Sequence, residues 1–280
     1  MAYSDNFPLV EVPGAEGVTH IFCRSPGGGG DGWCHLVPGK DRALLIDTGF
    51  GIGDLKKLVS ELTDLPVTVV NTHNHGDHIG GNPQFEEVYI HKEDAPFLYR
   101  AMEGPERKAP PESEREYKYS DADLVQPAPY KVVEIEDGYV FDLGGGYEVE
   151  VFHLPGHSAG GIGLLDKKRG FLFSGDALVW TPILIHWPIP DERYNEFFTV
   201  ERFRDGLLRL EEHKDEVKRI YPGHSRLGLN NTLITDMRLC CEELLAGDLS
   251  VREFLPGAAG PLHIHGDAKI AFHESRIHTK

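Results

Sequence analysis

Positive charge is scarce in this chain. Its 28 Lys and Arg stand against 45 Asp and Glu, a formal charge of −17 at neutral pH. So acidic a surface repels phosphate backbones, and no basic stripe long enough to track a nucleic acid interrupts it, so nucleic acid is not an expected partner. Cysteine is scarce too. Cys23, Cys34 and the adjacent Cys240 and Cys241 form no spaced framework, which argues against a disulfide scaffold and for free thiols in a reducing compartment. No apolar run reaches the roughly 18 residues that a membrane span requires. Residues 1–20 lack a basic start followed by an apolar stretch, so no secretory leader is expected. The combined expectation is a cytoplasmic protein with no membrane partner.

What is present is material for a large core. The 280 residues are 40% hydrophobic, with 14 Phe and 10 Tyr spread along the chain, which fits an α/β protein and argues against disorder. The expected organisation is a single domain over 1–280 with a helical or loop insertion around 92–128. That segment is rich in proline and charge and carries one short amphipathic helix near Ala95–Met102. Leu55, Leu58, Val59 and Leu62 recur at helical spacing, and "PVTVVNT" behind them reads as a buried strand. Further helices are expected in "TVERFRDGLLRLEEHK" and "NTLITDMRLCCEELLAG", and a last strand at Ala268–Phe272. The glycine run Ser25–Gly32 is a loop, either a bare connector or a flap.

The chemistry gathers at strand ends. Asp47 closes one apolar run, and "THNHGDHIGG" follows the next with His73, His75, Asp77 and His78. His157, Asp176 and His224 close three more. Any one of these histidines, taken alone, is more often a surface or capped residue than a ligand. Together, five imidazoles and two carboxylates make seven candidate metal ligands, enough for two cations sharing one carboxylate. A His-x-His pair on a strand-end loop can offer both rings to one ion, while Asp77 and His78 serve a second.

The series "LLIDTG", "THNHGDHIGG", "LPGHSAGG", "FSGDAL" and "YPGHS" resembles the motifs of the metallo-β-lactamase fold superfamily, in order and context, over about residues 18–245. The resemblance implies an αββα sandwich, two mixed β-sheets flanked by helices. It implies one metal on His73, His75 and His157, a second on Asp77, His78 and His224, and Asp176 as the bridge. Asp47 matches the upstream aspartate that orients ligand histidines. True metallo-β-lactamases lack the bridging aspartate, so Asp176 directs the resemblance toward the glyoxalase II and lactonase-like branch.

The reaction this implies is hydrolysis of a small ester, thioester or lactone by a hydroxide shared between two divalent ions, zinc first, with manganese or iron(II) as alternatives. Asp77 is the candidate to hold or accept the proton. Two other readings stay open: a persulfide dioxygenase-like oxidoreductase with a single iron on His73, His157 and Asp176, and a phosphodiesterase. For the small-molecule substrate, His186 and Tyr194 are the side chains to test. They lie in the aromatic stretch Val179–Phe198, which reads as a pocket lining or as a packed loop. His263 and His265 form another His-x-His, read as a solvated strand in preference to a third metal site. A homodimer is one option for assembly.

Overall fold

Ala43–Ile46 (ALLI) is apolar and buried at every position, the pattern of a strand covered on both faces. It sits at the centre of a seven-stranded sheet in the computed structural model, which describes residues 9–10, 16–27, 30–115, 117–185, 194–248, 253–254 and 261–279. The chain divides into two compact units, Met1–Ile135 with Phe141–Glu148, and Glu136–Val140 with Val149–Lys280.

The first unit holds β1 (Leu9–Val10), β2 (Thr19–Cys23), β3 (Gly32–Pro38), β4 (Ala43–Ile46), β5 (Val67–Val70), β6 (Glu87–His91) and β7 (Lys131–Ile135), hydrogen-bonded in that order. β1 to β4 pair antiparallel and β4 to β7 parallel. Parallel pairing demands crossovers, and α1 (Leu55–Leu62), α2 (Gly76–Ile79) and α3 (Ala95–Met102) lie in them. α1 starts where the Asp54 carboxylate accepts the Lys57 amide at 3.0 Å. It buries Leu55, Leu58 and Val59 on one face, each contributing about 1.5–3 kcal/mol. Past α3, Arg107 fastens the inserted segment by donating to the carbonyls of Phe50 (2.7 Å), Gly51 (3.2 Å) and Val125 (3.0 Å). Burial lowers its pKa from the ordinary guanidinium value.

The remaining strands are β8 (Val140–Asp142), β9 (Glu148–His153), β10 (Ile162–Asp166), β11 (Phe171–Gly175), β12 (Ile183–Ile185), β13 (Arg219–Pro222), β14 (Glu253–Phe254), β15 (Pro261–His265) and β16 (Ala268–Phe272). A five-stranded sheet runs β13-β11-β10-β9-β8, with β11 and β13 parallel. A third, four-stranded sheet runs β12-β16-β15-β14, with β12 and β16 parallel. It adds to the two mixed sheets expected, and it turns Ile183–Ile185 of the aromatic stretch into strand. Helices α4 (Val200–Glu211) and α5 (Thr232–Leu245) cover the second unit's core, where Phe203, Leu207, Ile234 and Met237 are fully buried. All four cysteines are free and buried, Cys23 Sγ lying 3.5 Å from Cys34 Sγ. Among the described residues, no helix is long and apolar enough to cross a membrane.

Candidate functional site

In the first unit the ligand cluster is a single tight turn held from behind. Asp47 directly follows β4, and its φ of 62° is one of three positive values at non-glycine residues among those described. Aspartate tolerates that conformation better than most side chains, and it leaves the carboxylate buried at 1% exposure. Asp47 Oδ1 accepts the Thr72 amide at 2.7 Å, and Oδ2 accepts the Thr72 hydroxyl and His78 Nδ1, each at 2.8 Å. The Thr72 oxygen, its hydrogen already given to Asp47, lies 3.1 Å from His73 Nδ1 and accepts from it. One carboxylate thereby sets two rings: with hydrogen on Nδ1, neutral His73 and His78 each carry the lone pair on Nε2.

The four candidates of this turn come together. The rings of His73 and His75 are centred 4.7 Å apart, and those of His73 and His78 are 4.0 Å apart. His78 Nε2 lies 3.8 Å from Asp77 Oδ2. His75 caps α2, its carbonyl accepting the amides of His78 (2.9 Å) and Ile79 (3.1 Å).

Residues that sequence reasoning missed hold the turn in place. The His78 carbonyl accepts from the Thr48 amide (2.8 Å) and Asn71 Nδ2 (3.2 Å). Asn82 Nδ2 donates to Asn71 Oδ1 at 2.7 Å, and its Oδ1 accepts from Thr48 at 2.8 Å. Asp94 Oδ2 accepts the Asn74 amide at 3.0 Å. The one readable signal was "IGGN": a Cβ on Gly81 would stand 2.6 Å from the Thr48 carbonyl oxygen, so only glycine lets the backbones meet. Beside the loop lies a mainly apolar cavity of about 330 Å³, lined by Phe50, Gly76, Ile79, Met102, Val125 and Tyr130 among others.

In the second unit the candidates arrive singly. His157 follows β9, Asp176 follows β11 and His224 follows β13. Asp176 is the hub, its Oδ2 lying 3.4 Å from His157 Nε2 and 3.6 Å from His224 Nε2. His157 Nδ1 donates to the Leu184 carbonyl of β12 at 3.1 Å, so its lone pair also falls on Nε2. Ser225, directly after His224, has a φ of 60° in the turn that brings Leu229 back to pair with Ile220 of β13. Tyr194 is 3% exposed, a buried side chain, and His186 lies outside the described residues. The donor set of imidazole nitrogen and carboxylate oxygen suits zinc, manganese or iron, and fixed Nε2 lone pairs on His73, His78 and His157 fit such an ion.

The tail pair does something else. His263 Nε2 and His265 Nδ1 lie 2.9 and 2.7 Å from Glu243 Oε2 and Oε1, and His263 is 1% exposed. The solvated-strand expectation therefore fails for His263: a carboxylate from α5 holds one nitrogen of each ring and ties β15 to the helix.

A sequence model of the Metallo-beta-lactamase superfamily matches residues 27–224. The acyl-coenzyme A thioesterase MBLAC2 of Homo sapiens is 32% identical over 210 residues, 68% of this chain and 71% of that protein. The hydroxyacylglutathione hydrolase GloC of Haemophilus influenzae is 26% identical over 154 residues, 52% of this chain and 66% of its own. Among solved structures, the metallo-beta-lactamase from Pontibacter korlensis matches with a TM-score of 0.56 at 19% identity, covering 83% of this chain and 97% of that one. That match bears on fold alone, and it agrees with the fold class expected from the motifs.

Proposed function

Since this chain belongs to the metallo-beta-lactamase superfamily, we propose that it is a dinuclear metal-dependent thioesterase. The observation that carries the reading is that His78 and His157 each turn Nδ1 to a fixed acceptor, the Asp47 carboxylate and the Leu184 carbonyl, which leaves the lone pair on Nε2. His73, His75 and His157 would hold one ion, and Asp77, His78 and His224 the other, with Asp176 shared. When bound, two such ions supply Lewis acidity and water of lowered pKa at neutral pH.

The chain's own residues do the rest. Asp47, through Thr72 and His78, keeps two rings in the ligand tautomer without reorganisation. Asp77, partly exposed in the turn and 3.8 Å from His78 Nε2, would take up a proton from water at the site. The apolar cavity beside Gly76 suits an acyl group, its volume falling at the small end of the roughly 300–1,000 Å³ usual for ligand pockets. Thioester is favoured over lactone and plain ester because the relatives named above include an acyl-coenzyme A thioesterase and a hydroxyacylglutathione hydrolase.

The test is metal content of protein purified without added metal, followed by turnover on thioesters, lactones and phosphodiesters. Two equivalents of zinc or manganese with thioester hydrolysis are expected, and Asp176→Ala should abolish turnover and lose one ion. A single iron with oxygen uptake on persulfides would overturn the reading in favour of an oxidoreductase.

A further inference from the structure

Trp180 is one of the few large apolar side chains left exposed, at 37%. Two cations flank its ring: Arg226 Cζ lies 5.4 Å and Lys269 Nζ 5.1 Å from the ring centroid. Neither has a carboxylate partner among the described residues. In a chain carrying −17, carboxylates are the abundant partners, so two cations gathered at one ring without one stand out. Two positive charges gathered at one ring also repel each other, and an anion placed between them relieves that repulsion.

The position of the cluster is as telling as its composition. Trp180 follows Asp176 by four residues and Arg226 follows His224 by two. Lys269 sits on β16, which pairs with β12, and β12 supplies the Leu184 carbonyl that orients His157. Each member is tied through short chain or one strand pairing to a candidate ligand of the second unit. An anionic thiol leaving group would otherwise be repelled by so acidic a protein.

We infer that Trp180, Arg226 and Lys269 bind the phosphate-bearing nucleotide end of the thiol leaving group, as in an acyl-coenzyme A. The two cations, both over the indole ring, meet the phosphates, and the indole reports their engagement. The inference rests on the thioesterase reading and specifies which thiol that reading involves.

The test compares one acyl group on two thiols, coenzyme A and the phosphate-free N-acetylcysteamine, with metal-loaded full-length protein. The readout is the ratio of the two KM values. In the double variant Arg226→Gln/Lys269→Gln that ratio should rise against coenzyme A by about tenfold or more. In parallel, adenosine 3′,5′-bisphosphate is titrated while tryptophan fluorescence is followed. Saturable quenching in the wild type, lost in the double variant and in Trp180→Phe, supports the site. An unchanged KM ratio, or quenching that inorganic phosphate reproduces at the same concentration, overturns it. If the wild type hydrolyses neither thioester, the thioesterase reading fails, and the bisphosphate titration still decides whether the nucleotide site exists.

Discussion

His73-x-His75 and His263-x-His265 have the same spelling and opposite fates. The first pair leaves a strand end into a turn whose rear is packed with hydrogen-bond acceptors, and there His73 and the neighbouring His78 turn Nδ1 to those acceptors and keep a lone pair on Nε2. The second pair lies within β15, and both its rings meet one carboxylate, Glu243, at 2.9 and 2.7 Å. His265 turns Nδ1 to its carboxylate as His78 does, but His263 turns Nε2, so the lone pairs of the second pair fall on different nitrogens, whereas those of His73 and His78 both fall on Nε2. What separates the two pairs is therefore how each ring is held, not the spacing of the histidines.

The sharpest way to break this contrast is to disturb the acceptor behind the first pair. Asp47→Asn preserves volume but replaces one acceptor oxygen with a donor amide, which cannot accept from both Thr72 and His78. His78 is then free to place its hydrogen on Nε2, and Thr72 loses its hold on His73. Metal affinity, read by competition with a chelator, should fall about 10–100-fold, and turnover with it. Full metal affinity in Asp47→Asn would show that the turn alone orients the rings. Next comes Glu243→Gln, the equivalent change behind the second pair. It should leave metal content and turnover untouched and lower stability by about 1 kcal/mol, discounted because the Glu243 side chain is 35% exposed. A loss of bound metal in this variant would make the two pairs alike after all.

Much of this was legible beforehand, for identifiable reasons. α1, α3, α4 and α5 announce themselves because apolar residues recur on one face, as Leu55, Leu58 and Val59 do. The ligand turn reads easily because four candidates fall within six positions. His157, Asp176 and His224 are isolated letters that only a resemblance to a motif series connects. The rear of the site was opaque: Thr48, Asn71 and Asn82 act across 7 to 34 residues of chain, and buried amide networks leave no periodic trace. Glu243 was hidden for a similar reason. On α5 it sits among residues spaced for burial, and its partners lie 20 and 22 positions away on β15. The third sheet depends on β12 joining β16 across most of the second unit, a pairing that local pattern does not reveal.

The smallest predicted effect separates the two pairs by pH. Burial pushes the Glu243 carboxyl up, but hydrogen bonds from His263 and His265 outweigh it and bring the pKa below the ordinary carboxylate value. The folded protein therefore binds the Glu243 proton less readily than the unfolded chain does. A group depressed in this way contributes its stability in full above the unfolded pKa of about 4.3 and loses it as pH falls through the folded value. The melting temperature of the wild type should accordingly exceed that of Glu243→Gln by a constant margin from neutral pH down to about 5, and the margin should shrink below that. A margin that persists unchanged into strong acid would mean that Glu243 docks β15 by packing its methylenes, and that the histidines contribute no charge-dependent hold.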